Sequence, residues 1–137
     1  VSKQANDILD VVLMEANYKN FGEFLHQKRI VKGMSYRDLS SVLGVSAPYI
    51  RDIDKDRRNA PSMDKLEKLA EVFLLSAEDK ATMFDLAGQK KAEVAPDIPG
   101  YIMEHDYVAS ALRTARDLGA SEKDWQSFVD DLRRRKG

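Results

Sequence analysis

The sequence predicts an all-α protein. Apolar residues recur three and four apart almost throughout the 137-residue chain, no alternating apolar/polar run is long enough for a strand, and Ser or Asn repeatedly precedes an apolar stretch that Gly closes. A first helix is expected over Gln4 to Ala16, with Ile8, Val11, Val12 and Glu15 on one face and Leu9 and Leu13 widening the apolar stripe. Asn20 caps the next, and Glu23 at the third helical position completes a capping-box pattern. That helix turns Phe21, Phe24, Leu25 and Ile30 inward and stops at Gly33. Ser35 caps a helix over Tyr36 to Leu43, and Gly44 supplies the left-handed residue of the turn that follows.

Ser46 caps again. Its helix opens on Ala47-Pro48, where proline costs little because first-turn amides lack intrahelical acceptors, and runs through Tyr49, Ile50 and Ile53 to Asp54. Lys55 to Pro61 is a polar loop ending on a breaker. Ser62 starts an amphipathic helix with Met63, Leu66, Leu69, Ala70 and Phe73 on its apolar side. Ser76 with Asp79 caps a further helix containing Ala81, Phe84, Leu86 and Ala87, which ends at Gly88. Gln89 to Pro99 has no periodic apolar face and two prolines, which reads as a linker. Beyond it, Tyr107, Val108, Ala111, Leu112 and Ala115 define a helix closed by Gly119. Ser121 with Asp124 then caps a last one presenting Trp125, Phe128, Val129 and Leu132. These two are expected to form a helical hairpin, with the aromatics Tyr101, Tyr107, Trp125 and Phe128 as its core. The basic tail Arg133-Arg134-Arg135-Lys136 suits a helix C-terminus. The organisation is therefore an N-terminal helix (1–19), a central domain (20–88), a linker (89–99) and a C-terminal hairpin (100–137).

Composition narrows the function. With 43% hydrophobic and 33% charged residues the chain has the balance of a folded helical protein, and its length suits one ordinary core plus a small appendage. The chain has no cysteine, which excludes disulfides and thiolate metal sites and is compatible with a reducing, cytoplasmic setting. Apolar runs such as Val72-Phe73-Leu74-Leu75 are far short of the ~20 residues of a membrane span, and Asp7 and Asp10 interrupt anything like a signal peptide. Overall net charge is −1, yet it is unevenly spread: residues 18–61 hold nine basic and five acidic side chains, for a net +4, between segments of −2 and −3. Positive charge thus gathers where a polyanion would be met.

The run from Met34 to Asp54 carries the functional reading. Leu39, Leu43, Val45, Ile50 and Ile53 fall where two steeply crossing helices bury them together, and the small Ser40 lets those helices approach. Gly44 makes the sharp turn. The exposed side of the second helix then begins with Ala47, Pro48, Tyr49, Arg51 and Asp52, the position at which a recognition helix meets base edges in the major groove.

On these residues, segment 20–88 resembles the Cro/phage-repressor type of helix-turn-helix, the xenobiotic-response-element-like or lambda-repressor-like family. The likeness covers about half of the chain and rests on three features in order: the spacing from Leu39 through Gly44 to Ile50, the loop Asp54-Lys55-Asp56-Arg57-Arg58-Asn59, and the helix with Lys65-Leu66-Glu67-Lys68-Leu69-Ala70. The resemblance implies a five-helix DNA-binding domain that takes double-stranded DNA as a two-fold homodimer on a pseudo-palindromic operator. Tyr36 stands where the family often has a glutamine touching phosphate or base, and here only a phenol is available to donate. Ala47 and Pro48 replace the polar base readers of many phage repressors; they can meet a thymine methyl but make no bidentate hydrogen bonds. Arg51 is then the best direct reader, with Tyr49 and Asp52 as weaker ones unless Asp52 orients Arg51. Arg37, Lys55, Arg57, Arg58 and Asn59 are phosphate-contact candidates, and the amides around Ser46 offer a helix N-terminus to an anion.

Other chemistries find no support. His26 and His105 are far apart without clustered ligands, so no metal site is expected, and no cofactor. The sequence contains no nucleophile motif, phosphate-cradling glycine loop or paired-carboxylate signature, so no enzyme is expected. The leading expectation is a transcriptional regulator, a repressor whose C-terminal hairpin dimerises or receives a small-molecule or protein signal, with the N-terminal helix as the other candidate for the dimer contact. An antitoxin with an appended toxin-blocking segment, and an adaptor that keeps the fold without binding DNA, are the alternatives; the apolar Ala47 and Pro48 keep the last in play.

Overall fold

The computed structural model describes residues 18–91 and 93–137. The helix expected over Gln4 to Ala16 lies outside these residues. The described residues form eight helices and no strand: α1 (Phe21–Val31), α2 (Tyr36–Leu43), α3 (Ala47–Asp54), α4 (Met63–Val72), α5 (Ala77–Lys90), α6 (Ile98–Glu104), α7 (Asp106–Leu118) and α8 (Glu122–Lys136). They divide into two units, one ending at Ile98 and one beginning at Pro99.

Local chemistry sets the boundaries of the first five helices. The Asn20 side chain accepts from the Glu23 amide and starts α1. Glu23 does not return the bond, so only half of the anticipated capping box is present. Ser35 and Asp38 make the reciprocal pair at α2, and Gly44 ends that helix at φ 69°. Ser46 accepts from the Tyr49 amide to start α3, with Pro48 in the first turn. Ser62 precedes α4 without a side-chain cap bond, and Ser76 caps α5 by accepting from the Asp79 amide. The Asp79 carboxylate reaches instead to Lys28 Nζ at 2.9 Å, tying α5 to α1. Burial opposes the charge on Lys28, but the Asp79 hydrogen bond and the charges of Asp79 and Tyr18 outweigh it and hold its pKa above the ordinary lysine value.

The core of this unit is one cluster: Phe21, Phe24 and Leu25 of α1, Leu39 and Leu43 of α2, Ile50 and Ile53 of α3, Leu66 and Leu69 of α4, and Met83, Phe84 and Leu86 of α5. Each fully buried aliphatic or aromatic side chain there contributes about 1.5–3 kcal/mol. α3 is held on two sides, against α1 and α2, while α4 and α5 close the far side.

Gly88 was expected to end α5, and does not. The helix runs on to Lys90, and Gly88 is buried within it: a Cβ there would stand 2.8 Å from the Glu93 carbonyl and 2.9 Å from the Ala95 amide. Glycine here admits the returning chain rather than stopping a helix. The segment expected as linker likewise contains the start of α6, whose Pro99 falls in the first turn, where a missing amide hydrogen costs nothing.

In the second unit, Gly119 at φ 70° ends α7 and the Ser121–Asp124 capping box starts α8, as the turn residues imply. The two helices share that short turn but bring no pair of Cα atoms within 8 Å. No side chain of α6, α7 or α8 is buried. The expectation that Tyr101, Tyr107, Trp125 and Phe128 form a core is therefore corrected: they are 55%, 68%, 42% and 54% exposed. Helices that diverge from a turn leave each apolar face open. No described helix is long and apolar enough to cross a membrane.

Candidate nucleic-acid interface

α3 is anchored by its inner side and presents its first turn. Ile50 and Ile53 are each 1% exposed and fix the helix on the core. Pro48 and Arg51 are exposed, while Ala47, Tyr49 and Asp52 are partly covered. The helix end that the sequence reading places in a groove is therefore on the surface. Leu39, Leu43, Ile50 and Ile53 are buried as the crossing-helix pattern requires, with Val45 half-buried beside them. Ser40 is buried, its Oγ donating to the Arg37 carbonyl at 2.8 Å.

The C-terminus of α3 is fixed by α1. Gly22, in the first turn of α1, lies so close that a Cβ would stand 2.6 Å from the Ile53 carbonyl oxygen and 2.9 Å from that of Asp54. Beside it the Asp54 carboxylate, only 3% exposed, collects three partners from two other helices. Tyr36 donates its hydroxyl proton to Oδ2 at 2.9 Å, His26 Nδ1 is 3.1 Å from the same oxygen, and Arg29 Nε is 3.5 Å from Oδ1. Arg29 also donates to the Met34 carbonyl and lies 4.4 Å over the Tyr36 ring. A carboxylate this buried has given up its water, and these partners stand in for it.

These contacts determine what Tyr36 has left to offer. Burial raises its phenol pKa, the hydrogen bond to Asp54 and that group's charge raise it further, and the Arg29 and Arg51 guanidinium groups act in the opposite sense. The phenol stays protonated, and its proton is committed to Asp54. Two of the segment's nine basic side chains are likewise committed inside the fold, Lys28 to Asp79 and Arg29 to Asp54.

The remaining candidates, Arg37, Ser46, Arg51, Lys55, Arg57, Arg58 and Asn59, are all exposed. The Arg51 side chain has no hydrogen-bond or ion-pair partner among the described residues, and Asp52 does not pair with it. Arg58 has a partner the sequence did not announce, the Tyr49 ring, 4.8 Å from its guanidinium carbon. Sequence reasoning also missed Gly22, Arg29, His26 and Asp54 as the fittings that orient α3. Only Gly22 carried a local signal, because a glycine inside a helix commonly marks a close approach.

The profile of the family described as Helix-turn-helix matches residues 25–79. The HTH-type transcriptional regulator DdrOP3 of Deinococcus deserti is 27% identical over 74 residues, 54% of this chain and 57% of that protein. The chain thus matches little more than half the length of that relative. A solved structure, the SinR protein/SinI protein complex, is 25% identical, covers 85% of this chain and 97% of that one, and superposes with a TM-score of 0.42.

Proposed function

We propose, from a chain whose residues 25–79 are a non-enzymatic, DNA-binding helix-turn-helix domain of the Cro/phage-repressor type, that the protein is a cytoplasmic transcriptional repressor that binds a pseudo-palindromic operator as a homodimer. The observation that carries this is that Pro48 and Arg51 stand exposed on a helix whose other side is locked to the core. A rigid helix presented in this way docks in the major groove with little reorganisation. Arg51 is the base reader, its unpaired guanidinium suited to the O6 and N7 acceptors of guanine. Asp52 and Tyr49 flank it, and Ala47 and Pro48 present apolar surface to a thymine methyl. Tyr36 serves the interface through the angle between α2 and α3 more than by donating to DNA. Arg37, Lys55, Arg57, Arg58, Asn59 and the amides after Ser46 take phosphates.

The dimer contact is assigned to the C-terminal helices, covered by a second copy of the chain. Two features support that occupant. Tyr107 and Leu112 of α7 and Trp125, Phe128 and Leu132 of α8 are exposed large apolar side chains, none of them buried within their own unit. The ends of α8 also differ in charge, with Glu122 and Asp124 outnumbering Lys123 in its first turn and Arg133 to Lys136 in its last, where Asp131 pairs with Arg134 and Arg135, so two antiparallel copies bring unlike ends together. Sedimentation of the full chain tests this. A dimer is expected at micromolar concentration, Phe128→Glu is expected to be monomeric, and its affinity should fall for a two-half-site duplex far more than for a half-site. A Phe128→Glu protein that remains dimeric contradicts the assignment.

A further inference from the structure

The loop after α3 is fastened so that it returns toward the beginning of its own helix. Asp56, at φ 59°, reverses the chain through the left-handed region. The Arg57 amide donates to the Asp52 carbonyl at 2.8 Å. Lys90 Nζ donates to the Asp56 carbonyl at 3.1 Å and stands 3.2 Å from its carboxylate. Ala60 and Pro61 are buried and hold the loop's far end. Within that frame the Arg58 guanidinium carbon lies 4.8 Å from the centroid of the Tyr49 ring. Tyr49 is itself fixed, its amide bonded to Ser46 Oγ at 3.2 Å and its side chain packed against the core.

We propose that Tyr49 is a positioning residue for Arg58: its ring holds the guanidinium beside the exposed first turn of α3, so that a loop cation meets the DNA backbone together with the recognition helix. This rests on the docking of α3 proposed above. An arginine that takes a phosphate from a free surface loses side-chain freedom on binding, whereas a guanidinium already stacked on a ring has lost much of it beforehand. Stacking uses the face of the group and leaves the N–H donors at its edge for phosphate oxygens. Arg57 is the internal contrast. It is equally charged and exposed, and among the described residues its side chain has no ring or carboxylate partner, so it orders only on contact.

The test is a double-mutant cycle on the full chain with one duplex as ligand. Leucine at position 49 keeps the apolar packing and removes the aromatic face. Tyr49→Leu is expected to weaken binding about two- to fivefold, the range of an exposed cation–π contact, and Tyr49→Phe, which keeps the aromatic face, to weaken it by less than Tyr49→Leu does. Arg58→Ala is expected to lower the steepness of the salt dependence by about one phosphate's worth. The double variant should bind no more weakly than Arg58→Ala alone, whereas Tyr49→Leu and Arg57→Ala should add. Additive losses for Tyr49→Leu and Arg58→Ala, or a Tyr49→Phe loss as large as that of Tyr49→Leu, overturn the inference. Proton NMR of the free wild-type protein gives a second reading that needs no variant to fold. The Arg58 side-chain protons should be shifted upfield by the Tyr49 ring current, and unshifted protons overturn the inference. Absence of DNA binding by the wild-type chain sinks the docking reading and this inference together. Intact wild-type binding with an additive cycle sinks the positioning alone.

Discussion

The Tyr36 hydroxyl donates a 2.9 Å hydrogen bond to the Asp54 carboxylate, and by it the first residue of α2 is joined to the last residue of α3. The bond fixes the crossing of the two motif helices at the point farthest from the turn at Gly44, where small rotations would otherwise accumulate. Removing the donor leaves a carboxylate that is 3% exposed short of one partner. Tyr36→Phe is therefore expected to destabilise the protein by about 1–3 kcal/mol, the cost of a buried polar group losing its partner. Chemical denaturation measures this; an unchanged unfolding midpoint would show that the bond contributes nothing.

The capping box of α2 has a pH signature. The Ser35 backbone amide, and then its hydroxyl, hold the Asp38 carboxyl below the usual aspartate range, and Ser121 does the same for Asp124 at α8. A carboxyl whose pKa is depressed by folding adds stability above its unfolded value, and that contribution is lost as pH falls through the folded value. Both helix starts are thus expected to loosen only in acid, below the ordinary aspartate midpoint. NMR titration of the two carboxyls checks this, and Ser35→Ala should move the Asp38 midpoint back up while leaving Asp124 where it was.

Two glycines are expected to separate stability from DNA affinity. A Cβ at Gly22 meets the carbonyl oxygens of Ile53 and Asp54, while one at Gly88 meets the chain at Glu93 to Ala95. Either alanine variant should cost about 1–3 kcal/mol as an overpacking change. Only Gly22→Ala displaces the end of α3, so only it should also weaken DNA binding under conditions where both variants are fully folded. Equal DNA affinity in the two folded variants would remove Gly22 from the account.

What the sequence made legible was whatever is written locally. The caps at Ser35 and Ser46, the left-handed Gly44 and the buried set Leu39, Leu43, Ile50 and Ile53 follow from residues a turn or two apart. The fittings that orient α3 are separated by long stretches of chain: Gly22 against Ile53, Tyr36 and His26 against Asp54, Lys90 against Asp56. No local rule reports them. Gly88 misled for the same reason, because a local rule assigns glycine to a helix end and only the path of the chain at 93–95 shows otherwise. In the C-terminal unit the aromatic spacing correctly marked apolar faces, but spacing does not tell whether a face is covered from within the chain.

Leu74 illustrates a strain the sequence did not flag. It adopts φ 52°, a position normally taken by glycine, directly after α4, and its side chain is 78% exposed. The amide of Leu75 bonds back to the Ala70 carbonyl at 3.0 Å, as in a helix end closed by a left-handed residue. Leu74→Gly relieves a left-handed conformation costing ~1–2 kcal/mol and gives back part of that in unfolded-chain entropy, for an expected net gain of about 0.5–1 kcal/mol. A lowered melting temperature would mean that the exposed leucine makes a contact that offsets the strain.

The most direct measurement of the central claim compares wild-type and Arg51→Ala chains in a selection from random duplex DNA, followed by affinities on the selected and on unrelated sequences. If the exposed turn of α3 reads a groove, the wild type enriches a two-fold-related site. Arg51→Ala should then lose about 1–3 kcal/mol on that site together with the preference at one base pair per half-site, and change little on unrelated DNA. Equal losses on both classes of DNA, or no enriched sequence for the wild type, would contradict it.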